Sequence, residues 1–183
     1  ALQLGDGCEA AVPSHWRWRN RRVFLVDGTT LSAPDTPGNR AAWPQPATQQ
    51  PGLGFPLIRM VVLLSLATAL ITGMAMGPAK GKETGETALL RQLLARLQPG
   101  DVFVADRYFC SYFMVALARE RGVDVVIRQH QKRITDFRRG TSLGKEDHLT
   151  RWQRPARPDW MDVETYEQMP EFLDVRELRV HVH

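Results

Sequence analysis

The chain has 183 residues, 43% of them hydrophobic and 24% charged, enough apolar material for one domain with a sizeable core and too much for a disordered chain. A formal charge of +4 and a pI near 9.4 are compatible with a nucleic-acid partner without demanding one. Cys8 and Cys110 lack the spacing of a zinc site and read as reduced thiols of an intracellular protein, and no basic-then-apolar secretory signal opens the chain.

Residues 1–20 read as a lead-in segment whose one dense stretch is His15-Trp16-Arg17-Trp18-Arg19. Alternating tryptophan and arginine suits base or phosphate contacts, but a half-buried edge strand with its arginines outward is the slightly better expectation. A first strand follows at about 22–27. From Ala33 to Pro56, prolines at 34, 37, 44, 46, 51 and 56 and glycines at 38, 52 and 54 predict a long irregular loop, too punctuated for a helix.

Met60 to Ala79 carries no charge and is long enough on paper to cross a membrane. Thr68, Thr72, Gly73 and Gly77 interrupt it, and Arg59 and Lys80 bracket it. Two strands, at about 57–66 and 70–77, joined by a tight turn near Ala67-Thr68-Ala69, are the better reading, and no membrane partner is expected.

Leucines 89, 90, 93, 94 and 97 recur at helical spacing and predict a helix over 83–97, with Thr84 as its cap and Pro99-Gly100 as its stop. A strand at about 102–106, a helix over 111–121 ending at Gly122 and a β-branched strand at 123–127 complete the pattern. Strand, loop, hairpin, helix, strand, helix, strand gives an α/β fold with a mixed sheet and helices packed on it. Beyond residue 127 the character changes. Arg128, Lys132, Arg133, Arg138 and Arg139 face a single acid, Asp136, and the rest reads as an insertion of short strands. The chain opens at Ala1 rather than Met and stops inside the alternation of Leu178, Val180 and Val182 with Arg179, His181 and His183, so it is expected to be a fragment.

Two aspartates end short apolar runs: Asp27 after Val23-Phe24-Leu25-Val26 and Asp106 after Val102-Phe103-Val104-Ala105. Either alone could simply cap a turn or a helix. A carboxylate at the end of a buried strand is costly unless paired, hydrogen-bonded or metal-bound. If the two strands are parallel neighbours, both acids emerge at one sheet edge, and oxygen ligands there favour magnesium or manganese. Paired ions of this kind drive in-line displacement at phosphorus, and the basic run could hold the phosphodiester backbone.

Several stretches, in order, resemble bacterial insertion-sequence-4 family DDE transposases. They are Val26-Asp27-Gly28-Thr29-Thr30, Asp35-Thr36-Pro37-x-Asn39, Gly52-x-Gly54-Phe55-Pro56, Gly85-Glu86, Pro99 through Phe109, Arg121-Gly122-Val123-Asp124, Asp147-His148, and Met169-Pro170-Glu171 to Val175-Arg176-Glu177. The resemblance implies a ribonuclease-H-like core, its first part at 21–127, followed by a β-rich insertion, truncated, at 128–183. It implies that Asp27 and Asp106 are the first two catalytic acids and metal ligands for Mg2+ or Mn2+. It also implies double-stranded DNA at transposon ends as partner, a homodimer on that DNA as the candidate assembly, and a bacterial cytoplasmic, nucleoid-associated location; by their charge, Arg107, Arg128, Lys132, Arg133, Arg138 and Arg139 are the expected DNA contacts.

The family's third acid, a glutamate within Tyr-x2-Arg-x3-Glu-x6-Lys, has no counterpart here. Tyr166 is followed by Met169 where the arginine should stand, and no lysine follows Lys145. Glu171 and Glu177 fall in stretches that resemble the insertion and are not assigned catalysis. The chain is therefore expected to be an inactive piece of a transposase. The alternatives are a stand-alone nuclease using Glu83 or Glu86 as a surrogate acid, and a non-catalytic DNA-binding remnant.

Overall fold

The computed structural model describes residues 2–45, 50 and 54–181. Gly52, Pro46, Pro51, Val182 and His183 of the sequence patterns lie outside them. Strands β1 (Val23–Ser32), β2 (Leu57–Ser65), β3 (Ile71–Pro78), β4 (Val102–Ala105) and β5 (Asp124–Ile127) form one sheet in the order β3-β2-β1-β4-β5. β1 runs antiparallel to β2 and parallel to β4, and β4 runs parallel to β5. The sheet is thus mixed, as expected. No helix is long and apolar enough to cross a membrane among the described residues.

Helices α3 (Glu86–Leu93) and α4 (Tyr112–Glu120) cover one face. Phe24, Val26, Val61, Leu63, Phe103 and Ala105 meet Leu89, Leu90, Leu93, Met114 and Ala118 there in a single core cluster. The helix expected over 83–97 begins later. Gly85 is its N-cap, without a side-chain bond, because Thr84 turns its hydroxyl back to the Gly81 carbonyl. The last turn tightens to a 3-10 helix, Leu94–Arg96. Ser111 caps α4 by accepting from the Met114 amide, and Gly122, at φ 69°, ends it.

Side chains alternate along a strand, so Leu25, Val62, Leu64, Val104, Met74, Met76 and Val126 share the opposite face by register. Met74, Met76 and Val126 are exposed, and among the described residues no helix packs over this apolar surface.

Three expectations are corrected. The lead-in is not an edge strand: α1 (Leu2–Ala10) packs on β3, a 3-10 turn spans Ser14–Trp16, and Trp16 and Trp18 are exposed. Buried Glu9 accepts from the Ser65 hydroxyl, which anchors α1 to the β2–β3 turn. The proline-rich loop contains a helix after all, α2 (Pro37–Ala42), because Pro37 sits in the first turn, where its missing N–H costs nothing, and the Thr36 hydroxyl accepts from Asn39. The first strand runs past Asp27 to Ser32, since β2 pairs with it along that whole length.

A Cβ on Gly5 would overlap the Ile71 carbonyl. Gly5→Val should therefore release α1 from the sheet edge, read as faster amide exchange confined to residues 2–10 and the β2–β3 turn. Unchanged protection there would contradict this packing.

Beyond β5, strands β6 (Thr141–Gly144), β7 (Asp147–Gln153) and β8 (Phe172–Leu178) make a second, antiparallel sheet, with α5 (Val163–Gln168) between β7 and β8. Its apolar side joins α4 in a separate cluster of Tyr112, Phe113, Ala116, Trp152, Met161, Met169 and Leu173. Phe113 is the junction, edge-on to Trp160 and tilted against Tyr166.

Candidate active site

The parallel register pairs Val26 with Ala105, so the next residue of each strand, Asp27 and Asp106, projects on the same face at the same edge. Both are exposed, so the desolvation expected of a buried strand end does not act on them. The Asp27-Gly28 pair makes no turn. One Asp27 oxygen accepts from the Gly28 amide at 2.8 Å. Asp106 does cap: its Oδ1 accepts from the Tyr108 amide at 2.9 Å and starts the 3-10 turn Arg107–Phe109. The second oxygen of each makes no protein hydrogen bond among the described residues. Exposed carboxylate oxygens of this kind are hard donors that suit a divalent cation.

A third carboxylate lies beside them. Glu86, the first residue of α3, lays its side chain over Gly28: a Cβ there would stand 2.7 Å from Glu86 Oε2 and 2.8 Å from its Cγ. Burial pushes the Glu86 carboxyl above the usual range, Arg59 draws it back, and the charges of Asp106 and Asp27 push it further up. Arg59, on β2, also donates to the Thr84 carbonyl at 3.0 Å. As the side chains stand, no three His, Cys, Asp or Glu groups gather tightly enough to hold an ion among the described residues.

The sequence reading missed Arg59 and ranked Glu86 no higher than Glu83. Glu83 is engaged by Arg91. The overlooked signal was Gly28: a glycine inside a strand marks close approach by another group.

The expected DNA-contacting residues are all exposed, but they are not one free patch. Arg107 and Arg128 flank the aspartate edge, Arg107 donating to Gln131 at 2.9 Å and Arg128 following β5. Arg133 lies over the Trp152 ring at 3.8 Å. Arg138 and Arg139 share Asp136, at 2.8 and 3.5 Å. These bonds, those of Arg138 first, hold the Asp136 carboxyl down at about 2. Glu177 belongs to a structural network: it accepts from Trp152 at 2.7 Å and pairs with buried His148 at 3.2 Å.

Among known proteins, the family model described as "Transposase DDE domain" matches residues 18–176. The chain belongs to the DDE transposase family. It is 28% identical over 155 residues to the transposase InsG for insertion sequence element IS4 of Escherichia coli (strain K12), a match covering 80% of this chain and 33% of that protein. The chain therefore spans about a third of the curated relative's length. No solved structure matches. Both likenesses support an IS4-like DDE transposase, and domains of this family generally use divalent metal ions. The α/β architecture, with its mixed five-strand sheet, is compatible with the ribonuclease-H-like fold that the resemblance implied.

Proposed function

We propose that this chain is the first part of a DNA transposase catalytic core, residues 21–127, with part of a β-rich insertion at 128–183, and that Asp27 and Asp106 serve phosphodiester hydrolysis and strand transfer at transposon ends. The observation that carries this reading is the convergence of Asp27 and Asp106 on one edge of the parallel β1–β4 pair, in a chain of the DDE family. Asp27 and Asp106 would hold Mg2+ or Mn2+, which supplies charge stabilisation at the reacting phosphorus. The chain's own residues do the rest. The backbone amides of Gly28 and Tyr108 orient the two carboxylates, and Arg107 and Arg128 bring positive charge to the same edge, where a phosphate backbone would lie. Double-stranded DNA is the partner, with a homodimer as the assembly on it. Without the later glutamate, the isolated chain completes neither cleavage nor strand transfer.

Duplex binding tests the DNA assignment. Each phosphate contact contributes about 0.9 to the slope of log affinity against log salt, so charge reversal at Arg138 and Arg139 should lower that slope by roughly one to two units. Asp136→Asn should do the opposite and tighten binding, because it frees both guanidiniums from their shared carboxylate. The sign with pH follows from the depressed Asp136 value. The pairing is fully present above the unfolded carboxylate range and is lost only as pH falls toward about 2. Mild acid down to about pH 5 should therefore leave the Asp136 effect intact. Fluorescence anisotropy titrations would read all three. Binding that ignores both the reversal and Asp136→Asn would remove this surface from the DNA interface.

A further inference from the structure

We infer that residues 15–19 form a second nucleic-acid surface, on which unpaired DNA bases stack, at the end of the sheet away from Asp27 and Asp106. It does not depend on the catalytic assignment of those two acids. Two tryptophans carry it: Trp16 is 59% and Trp18 53% exposed. Arg17, between them, is extended (φ −90°, ψ 135°), so residues 16 and 18 leave the chain on one side and Arg17 on the other. Arg17 turns inward and donates to the Glu9 carbonyl of α1, which leaves both indoles facing out. His15 stands edge-on to Trp16, and the Arg19 guanidinium lies 5.3 Å from the centre of the Trp18 ring.

The backbone beneath the indoles is fixed in advance. The Arg21 amide donates to the Trp18 carbonyl at 2.9 Å and closes a two-residue turn. Arg19 and Asn20 occupy it at φ 50° and 63°. Asparagine tolerates that left-handed backbone, whereas arginine is strained in it. Arg21 fastens the turn to the starts of β4 and β5, through the Gly100 and Asp101 carbonyls at 2.6 and 3.1 Å and through Asp124 at 2.6 Å. A platform already ordered loses less freedom when a ligand settles on it.

Charge selects the partner. Residues 15–22 hold four arginines and no acid. Arg21 and Arg22 are paired with Asp124 and Asp101, and the acids of α1 are engaged as well, Asp6 by Arg96 and Glu9 by Ser65. Arg17 and Arg19 have no carboxylate partner among the described residues. Indoles beside such guanidiniums suit a polyanion with stackable rings, and only an unpaired base offers its face to an indole. For a chain of the DDE transposase family that polyanion is DNA. The surface lies apart from the basic residues after β5, because the turn precedes β1 and those residues follow the opposite end of the parallel strands.

The test is fluorescence anisotropy of a labelled thymidine oligonucleotide of about 15 nucleotides with the full 183-residue chain, beside a duplex of equal length. Wild type should prefer the single strand. Trp16→Ala and Trp18→Ala should each weaken single-strand binding about fivefold or more, and Trp18→Phe should keep most of it. Arg19→Gly relieves the left-handed strain while removing a charge, so it should lower the single-strand salt slope by about 0.7 without loss of stability. The loss on Trp18→Ala should persist when Arg138→Ala and Arg139→Ala are added, which separates this surface from the duplex contacts proposed there. Both indoles are exposed, so unfolding midpoints should match wild type. Single-strand binding that ignores both alanine variants would overturn the surface. A preference for duplex, or equal loss of duplex and single strand in Trp18→Ala, would overturn stacking on unpaired bases. Tryptophan-dependent self-association in sedimentation, with no binding to the strand, would make the platform a contact with a second copy and overturn the inference.

Discussion

On the function proposed above, Asp27→Asn and Asp106→Asn in a complete transposase should each lower the rate of transposon-end cleavage by about three orders of magnitude or more. Groups that place or hold charge at a reacting centre are worth about 10²–10³ each when they are single donors. A carboxylate that holds the ion removes the ion's whole contribution with it. The two losses should not add, since either one disables the same centre. Asparagine keeps the size of aspartate, and both positions are exposed, so the fold should tolerate the change. Single-turnover nicking of labelled end DNA with Mg2+ or Mn2+ is the measurement. Rates within tenfold of wild type for either variant would refute the assignment. The 183-residue chain alone should leave the same DNA uncut. Nicking by that chain that vanishes in Asp27→Asn would mean that its own residues, Glu86 first among them, complete the centre.

Asp101→Ala should cost the fold about 3 kcal/mol, toward the lower end of what breaking a buried ion pair costs. The Asp101 side chain is 4% exposed and accepts from Arg22 Nε and Nη2, at 2.8 and 2.5 Å, and from the Gln98 amide at 2.7 Å. Its removal strands three donors where β1 and β4 begin, and the Arg22 guanidinium, 5.2 Å from the Phe24 ring, is left without its counter-charge. Because that guanidinium retains some access to water, the full penalty for a sealed pair does not apply. For a domain of this size the loss corresponds to roughly 6–12 °C in melting temperature. Chemical denaturation would read it directly, and a change below about 1 kcal/mol would show that the pair is not what joins the two strands.

The elements that pack against one another by simple periodicity were legible beforehand. The leucine spacing of α3, the β-branched run of β5 and the apolar β2–β3 hairpin each state their partner face in local sequence. The side-by-side placement of Asp27 and Asp106 was legible only in part: the apolar run of β4 does end just before Asp106, but β1 continues past Asp27. What escaped depended on neighbours remote in sequence. β1 outruns its apolar stretch because β2 supplies hydrogen bonds as far as Ser32. α1 exists because Gly5 and Glu9 fit the β3 edge and Ser65, and no periodicity in Leu2–Ala10 announces that. Glu86 was legible only as one of two surrogate acids, on a par with Glu83. Its meaning lies in the missing side chain of Gly28, on another element.

The β1–β4 pairing also sets when the centre comes into being. β2 and β3 are joined by a short turn, and such hairpins close within about 1–10 μs. β4 can reach β1 only across the long loop that contains the hairpin and α3, and the entropy of closing that loop must be met before the strands gain anything. The two aspartates thus meet late on the folding route. A nascent chain still holding β4 inside the ribosome carries Asp27 on β1, paired with β2 on one side and with nothing yet on the side that β4 will take. Metal uptake during refolding would then act as a clock that starts only when the fourth strand has docked.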